Sequence, residues 1–196
     1  MRDWDRAYAQ FPAYAGKFAW DYIVDVLKEC PPGRVYEPGF GSGMNLLWAR
    51  ENGWEVAGCE VAETAMRRAR RALPGADLRK ESIVECTAPS GSYDVVIDRA
   101  ALSCVVRDEL ETALAQIHRI LKPGGRFFFN PYGTGHSRPF PEGIPPVTKW
   151  EFDDACALVA EPKWEMLRAQ RAVLHYDGED DAVVEEMFRI LVRKPS

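Results

Sequence analysis

The sequence predicts an α/β fold, with a doubly wound and mostly parallel sheet as its base. Three observations carry that expectation. Apolar runs of strand length, such as Val95, Val96 and Ile97, alternate with segments of helical period. The stretch RVYEPGFGSGMNLLWA, residues 34 to 49, reads as strand, glycine turn and helix. Two β-rich segments near the end, WEMLRAQRAVLHYD and EEMFRILVRK, read as an antiparallel pair joined by an acidic turn, GEDD.

Composition narrows the function. With 196 residues, 46% of them hydrophobic, one domain with one substantial core is expected over residues 1–196. A net charge of −5 gives a nucleic-acid partner little electrostatic support. The arginines of MRRARRAL fall at helical spacing and read as a solvated face. Five scattered cysteines, with no CxxC pair, argue against a disulfide framework or a bound metal and for a reducing, cytoplasmic setting. No apolar stretch has the length of a signal or membrane-spanning segment, so a soluble, unprocessed protein is expected.

Residues 1–30 are dense in aromatics, from Trp4 to Tyr22. Phe18, Tyr22, Val26 and Leu27 predict a helix over Lys17 to Glu29, stopped by Pro31 and Pro32. The first strand, Arg34 to Tyr36, leads through Glu37 into Gly39, Gly41 and Gly43. Glycines suit a turn that visits positive φ and lets a ligand lie on the backbone, and the next helix offers unpaired N–H groups. Met44 stands where a dinucleotide fingerprint starting at Gly39 needs glycine, and no Gly-Lys-Ser/Thr follows for a phosphate loop.

The second strand, within Trp54 to Glu60, ends on an acid placed 23 residues after Glu37. That is near the interval at which a βαβ unit sets a carboxylate beside a ribose, and one carboxylate can accept from both hydroxyls. A helix from Glu63 to Leu73 and a third strand ending near Glu81, Ser82 and Ile83 follow. The fourth strand delivers Asp98 to the crevice expected to hold Glu37. Leu110, Ala113, Leu114, Ile117 and Leu121 form a helical stripe, broken by Lys122-Pro123-Gly124-Gly125 before a fifth strand, Arg126 to Asn130. Gly133 to Val147 is too rich in Gly and Pro for a regular element, and a last helix is expected over residues 148–160. Of the three histidines, His118 reads as the exposed side of its helix and His175 as part of a terminal strand.

The pattern ExGxGxG at Glu37 to Gly43 resembles the first motif of class I S-adenosylmethionine-dependent methyltransferases. LKPGGRFFF is similar to the segment before their fifth strand, and Asp98-Arg99-Ala100-Ala101-Leu102 looks like the DRxAL segment of thiopurine-type members. The resemblance implies a Rossmann-like, seven-stranded sheet with an antiparallel C-terminal strand. It implies S-adenosyl-L-methionine over Gly39, Gly41 and Gly43, with Glu37 near its amino group, Glu60 on its ribose, and Phe40, Asn45, Val61 and Asp98 around it. Glu81 or Ser82 would meet the adenine amine, and Ile83 its ring. WDRAYAQF, within residues 1–30, reads equally as a lid over the ligands or as cover for the sheet; residues 131–148 would form the acceptor loop.

Methyl transfer needs a base when the acceptor keeps its proton; Asp98 and His136 are the candidates, with Tyr132 as a positioning group. A small-molecule acceptor, methylated on O, N or S by a monomer or homodimer, is the leading expectation. A protein or RNA methyltransferase and a non-catalytic nucleotide-binding protein are the alternatives.

Overall fold

The computed structural model describes residues 4–10, 17–140, 143–176 and 183–196. Parts of the aromatic N-terminus, Pro141, Glu142 and the GEDD turn lie outside them.

Two short helices open the chain, α1 (Trp4–Gln10) and α2 (Asp21–Lys28). There follow β1 (Arg34–Pro38), α3 (Met44–Glu51), β2 (Glu55–Cys59), α4 (Glu63–Ala72) and β3 (Asp77–Arg79). The second half runs β4 (Tyr93–Arg99), α5 (Leu110–Ile120), β5 (Leu121–Asn130), β6 (Tyr132–Gly133), β7 (Lys149–Trp150), α6 (Phe152–Leu158), β8 (Glu165–Tyr176) and β9 (Val183–Arg193). The main sheet order is β3-β2-β1-β4-β5-β9-β6-β7, with β8 paired to β9. β1 to β5 are parallel to one another, while β9 runs antiparallel to β5, β6 and β8.

The Rossmann-like α/β architecture is therefore present, with nine strands among the described residues rather than seven. The two additional strands, β6 and β7, have two residues each and flank the stretch expected to be irregular, β7 falling where the last helix was expected to begin. The N-terminal helix is shorter than its apolar spacing predicts. Trp20 sits at the N-cap of α2 and Phe18 lies outside the helix, 83% exposed. Similarly, Trp150 belongs to β7 and α6 begins at Phe152. His118 is half-buried, with Trp164 edge-on to it at 5.0 Å, so it does not face open solvent.

Period-two alternation sends successive strand residues to opposite faces, as a sheet covered on both sides requires. Val35, Val95, Ile97 and Phe128 pack with Ile23, Val26 and Leu27 of α2, Leu46 of α3 and Met66 of α4. Tyr36, Val96, Phe127 and Phe129 face the other layer, where Leu110, Ala113, Ile117 and Ile120 of α5 meet them. Phe127 is fully buried, with ring centroids 5.8 Å from Phe129 and 5.5 Å from Trp164. Phe127→Ala is expected to cost about 3–5 kcal/mol of stability, read as a lowered midpoint in urea unfolding with an unchanged slope.

The order of strands fixes where a ligand goes. From β1 the chain winds outward through β2 to β3, then crosses back to place β4 on the other side of β1. The strands' C-terminal ends diverge at the β1/β4 boundary, where an open α/β sheet forms its crevice.

Candidate active site

A cavity of about 950 Å³ opens at that boundary. It is near the upper end of the roughly 300–1,000 Å³ range of small-molecule sites, large enough for a nucleoside-sized ligand and a second small molecule.

The floor is the glycine turn. Gly39, Gly41 and Gly43 have φ of 61°, 56° and 80°, the left-handed region that favours glycine. At Gly39 an added Cβ would lie 2.5 Å from the Cβ of Ala101, and at Gly41 it would lie 2.7 Å from the Tyr8 hydroxyl. The turn is thus pressed between the loop after β4 on one side and α1 on the other.

Glu60 ties the turn to the next strand. Its Oε2 accepts the Gly41 N–H at 3.0 Å and its Oε1 accepts the Ala62 N–H at 2.8 Å. A carboxylate can accept about four donors, and Glu60 lines the cavity, so it keeps acceptor capacity for a ligand beyond its backbone partners. Burial raises its pKa, against the pull of those backbone N–H groups.

Glu37 is 2% exposed and lines the same cavity. Asn45 donates from Nδ2 to its Oε1 at 2.7 Å, while Asn45 Oδ1 accepts the Trp20 N–H at 3.0 Å. Its Oε2 has no partner among the described residues. Burial pushes the Glu37 carboxyl up to about 8, and the nearby acids Asp98 and Glu60 add to the shift. A buried, half-satisfied carboxyl in a cavity wall is suited to a cationic ligand group.

Phe40, Val61, Ser82 and Ile83 also line the cavity. Ser82 and Glu81 are distinguishable here. Glu81 accepts from both the N–H and the hydroxyl of Thr87, at 2.9 and 2.7 Å, whereas Ser82 caps the 3₁₀ turn at Ile83 through a 3.3 Å bond from the Val84 N–H. Gly43 is set behind the lining residues, where it gives α3 close approach to Ala69 and Leu73.

Two of the three residues expected to do chemistry are not on the wall. Asp98 is 0% exposed. Its Oδ1 accepts the Leu102 N–H at 3.0 Å, bracing a turn in which Ala100 has φ of 61° and Ala101 presses on Gly39. Burial lifts its pKa to about 7, opposed by backbone N–H groups of Leu102, Asn130 and Ala101. It is not among the residues that line the cavity, although it stays close enough to Glu37 to raise that carboxyl. His136 lies in the loop after β6 but is only 3% exposed, with ring centroids 4.6 Å from Tyr132 and 5.1 Å from Phe140. Burial and the Lys149 ammonium lower its pKa. Tyr132 and Phe140 line the cavity, and His136 stands behind them.

Sequence reasoning missed Arg99, which follows Asp98 and lines the cavity. Its guanidinium lies 4.3 Å from the Trp20 ring centroid and donates from Nη1 to the Tyr132 hydroxyl at 3.1 Å. The adjacent DRAAL letters mark the place, but its partners are far away in the chain. Trp4, Asp5 and Tyr8 of α1 complete the rim, and Asp5 accepts the Thr64 N–H at the start of α4, at 2.6 Å.

Comparison with known proteins agrees with this geometry. A family model described as a methyltransferase domain matches residues 36–129. An S-adenosyl-L-methionine-dependent Diels-Alderase of Talaromyces variabilis is 33% identical over 102 residues, 48% of this chain and 34% of that protein. A malonyl-[acyl-carrier protein] O-methyltransferase of Methylococcus capsulatus is 31% identical over 108 residues, 53% of this chain and 38% of that protein. The chain thus spans well under half the length of these curated relatives. Among solved structures, a Burkholderia thailandensis 1,6-didemethyltoxoflavin N1-methyltransferase, holding its substrate and S-adenosylhomocysteine, aligns with a TM-score of 0.70 at 17% identity. That alignment covers 90% of this chain and 77% of the other, and the likeness is one of fold. The residues fit S-adenosylmethionine on their own terms, because the unpartnered Glu37 Oε2, the glycine floor and the spare lone pairs of Glu60 match an ammonium, a close-lying chain and a ribose. The matched methyltransferase domain, residues 36–129, occupies the strands that build this cradle, and in that part the chain is similar to class I S-adenosylmethionine-dependent methyltransferases.

Proposed function

We propose that this protein transfers the methyl group of S-adenosylmethionine to an oxygen, nitrogen or sulfur of a small-molecule acceptor. The observation that carries this reading is one cavity with two unlike ends. Glu37 and Glu60 lie at the glycine floor, while Trp20, Tyr132, Phe140, Ile144 and Val147 supply an aromatic and apolar wall. Polar cofactor and flat acceptor are thereby brought to a shared boundary. The enclosed wall and the net charge of −5 favour a small acceptor over a nucleic acid.

When bound, the cofactor supplies a methyl group already activated on a sulfonium. The chain's work is alignment and the exclusion of water. Glu37 and Asn45 fix the methionine end, Glu60 the ribose, and Ser82 with Ile83 the adenine. Residues 1–30, through Trp4, Tyr8 and Trp20, serve as a lid, and residues 131–148 serve as the acceptor loop. Tyr132 is the member of the expected catalytic set that reaches the acceptor, as a hydroxyl that orients it. Asp98 and His136 support it from behind, the first by holding the turn after β4 and the second by packing on the Tyr132 ring.

A thermal-shift titration with S-adenosylhomocysteine, beside NADH, tests the cofactor. At about 100 times its dissociation constant a ligand adds roughly 2.7 kcal/mol of stability. Glu60→Ala is expected to weaken that binding by about tenfold to a hundredfold, and to lower stability by leaving the Gly41 and Ala62 N–H groups unpaired. Label from methyl-labelled cofactor should then reach members of a small aromatic, hydroxyl, amine or thiol panel. Transfer confined to protein or RNA would overturn the acceptor class. Binding with no transfer to any acceptor would overturn the enzymatic reading in favour of a cofactor used without methylation.

A further inference from the structure

We propose that Arg99 and the Tyr132 hydroxyl select an acceptor that carries a carboxylate on a flat ring system. This inference rests on the methyl-transfer reading and specifies the acceptor within the same cavity.

The hydrogen bond between the two residues assigns each its role. A guanidinium can donate but not accept, so the 3.1 Å contact from Arg99 Nη1 fixes the Tyr132 oxygen as the acceptor. The Tyr132 proton is therefore left to donate elsewhere, and Tyr132 lines the cavity. A hydroxyl backed by a cation is a strong donor to an anionic oxygen.

Among the described residues no carboxylate hydrogen-bonds the Arg99 guanidinium. Its nearest carboxylate is Glu185, whose Oε1 lies 3.9 Å from Nη2, beyond hydrogen-bond reach. Glu185 is more closely engaged by Arg138, at 2.9 Å from its other oxygen. Arg99 and Arg138 both approach Glu185, and the Arg99 charge also reaches the buried Glu37 and Asp98, opposing the rise that burial gives their carboxyls. Glu109 lies exposed at the rim. A planar anion fits the N–H groups of Arg99 that Tyr132 and Tyr22 do not take, since a guanidinium suits bidentate contact with a carboxylate.

The surroundings specify the rest of the molecule. Arg99 lies over the Trp20 ring at 4.3 Å, and Phe140 meets Tyr132 edge-on at 5.1 Å. Ile144 and Val147 continue that wall without a charge. One cationic corner in an apolar, aromatic slot matches an aromatic acid better than a neutral ring or a sugar.

The full chain, saturated with S-adenosylhomocysteine and separately without it, is titrated with benzoate, salicylate and 2-naphthoate, each beside its amide. Acids are expected to bind about tenfold or more tightly than the amides. Tyr132→Phe should cut the acid preference severalfold, Arg99→Met should abolish it, and Arg99→Lys should restore part of it. Acid preference is a readout that a general loss of packing would not move selectively. Equal binding of acids and amides, or no binding of either, overturns the proposal, as does a preference that survives Arg99→Met in a folded protein. If Arg99→Met fails to fold, Tyr132→Phe decides the matter by the same readout. Weakened S-adenosylhomocysteine binding in the Arg99 variants, with acid preference intact, also overturns it and assigns the guanidinium to the cofactor. Failure of S-adenosylhomocysteine to bind the unaltered protein tells against the methyl-transfer reading, while the titrations without it judge the acid preference separately.

Discussion

Gly39→Ala is expected to abolish detectable S-adenosylhomocysteine binding and to destabilise the protein by several times as much as Gly75→Ala. Both glycines have positive φ, 61° and 79°, so an alanine pays a similar backbone penalty of roughly 1–2 kcal/mol at either site. The surroundings differ. At Gly75 nothing lies within 4 Å of an added Cβ, whereas at Gly39 the Cβ of Ala101 stands 2.5 Å away. Ala101 has little freedom to yield, since the adjoining Leu102 N–H is held by the buried carboxylate of Asp98. Relief must come from separating the turn after β1 from the turn after β4, which opens the cradle under the ligand. Urea unfolding of the two variants, paired with isothermal titration, checks both parts. Equal stability losses would mean that the contact with Ala101 yields cheaply.

The second large effect is a pH dependence. Glu37, pushed up to about 8 by burial, holds its proton in the ligand-free protein across pH values where the unfolded chain, near 4.5, has lost it. The folded state binds the extra proton, so this group's contribution to stability is fully present below about 4.5 and falls as pH rises toward about 8. A ligand ammonium beside Oε2 reverses that preference by favouring the carboxylate. Binding then releases a proton, and S-adenosylhomocysteine affinity should rise on the order of tenfold to fiftyfold between pH 6 and 8. Glu37→Gln retains an oxygen for Asn45 but cannot ionise. It should flatten this rise, bind more weakly throughout, and make the ligand-free protein more stable above pH 8. Titrations in buffers of different ionisation enthalpy would count the released proton. A profile for Glu37→Gln that parallels the unaltered protein would shift the linkage to Asp98, lifted to about 7, or to Glu60.

The contrast between residues seen and unseen in the sequence follows from the range of the forces involved. Gly39, Gly41 and Glu60 were legible because their roles are nearly local. A turn between strand and helix demands positive φ, and one βα step carries Glu60 back to the Gly41 N–H. Asp98 and His136 were placed by type and position alone. Which face a strand residue takes is decided by pleat and register, and these turned Asp98 into the turn it braces. His136 was drawn inward by two aromatic rings whose approach depends on how the loop folds. Arg99 was overlooked although it adjoins Asp98, because its meaning lies in Trp20, Tyr132 and Glu185, brought from three distant segments. Phe18 shows the same limit from the other side. Its helical spacing to Tyr22 suggested core, but the helix starts after it and leaves its ring at the cavity mouth.

The place of β9 in the sheet has a consequence for how the molecule is assembled. This strand follows every other strand in the chain, yet it lies between β5 and β6 and also carries β8. Until it arrives, β5 presents an unpaired edge, and the contacts that close it span long stretches of chain, which slows folding. The glycine floor, Glu37 and Glu60 all belong to the part that can form beforehand, while Glu185 comes in with β9. An intermediate with the parallel strands in place would thus hold the glycine floor before the Glu185 end of the cavity, and a ligand bound on that floor would act as a template on which the remainder of the chain folds.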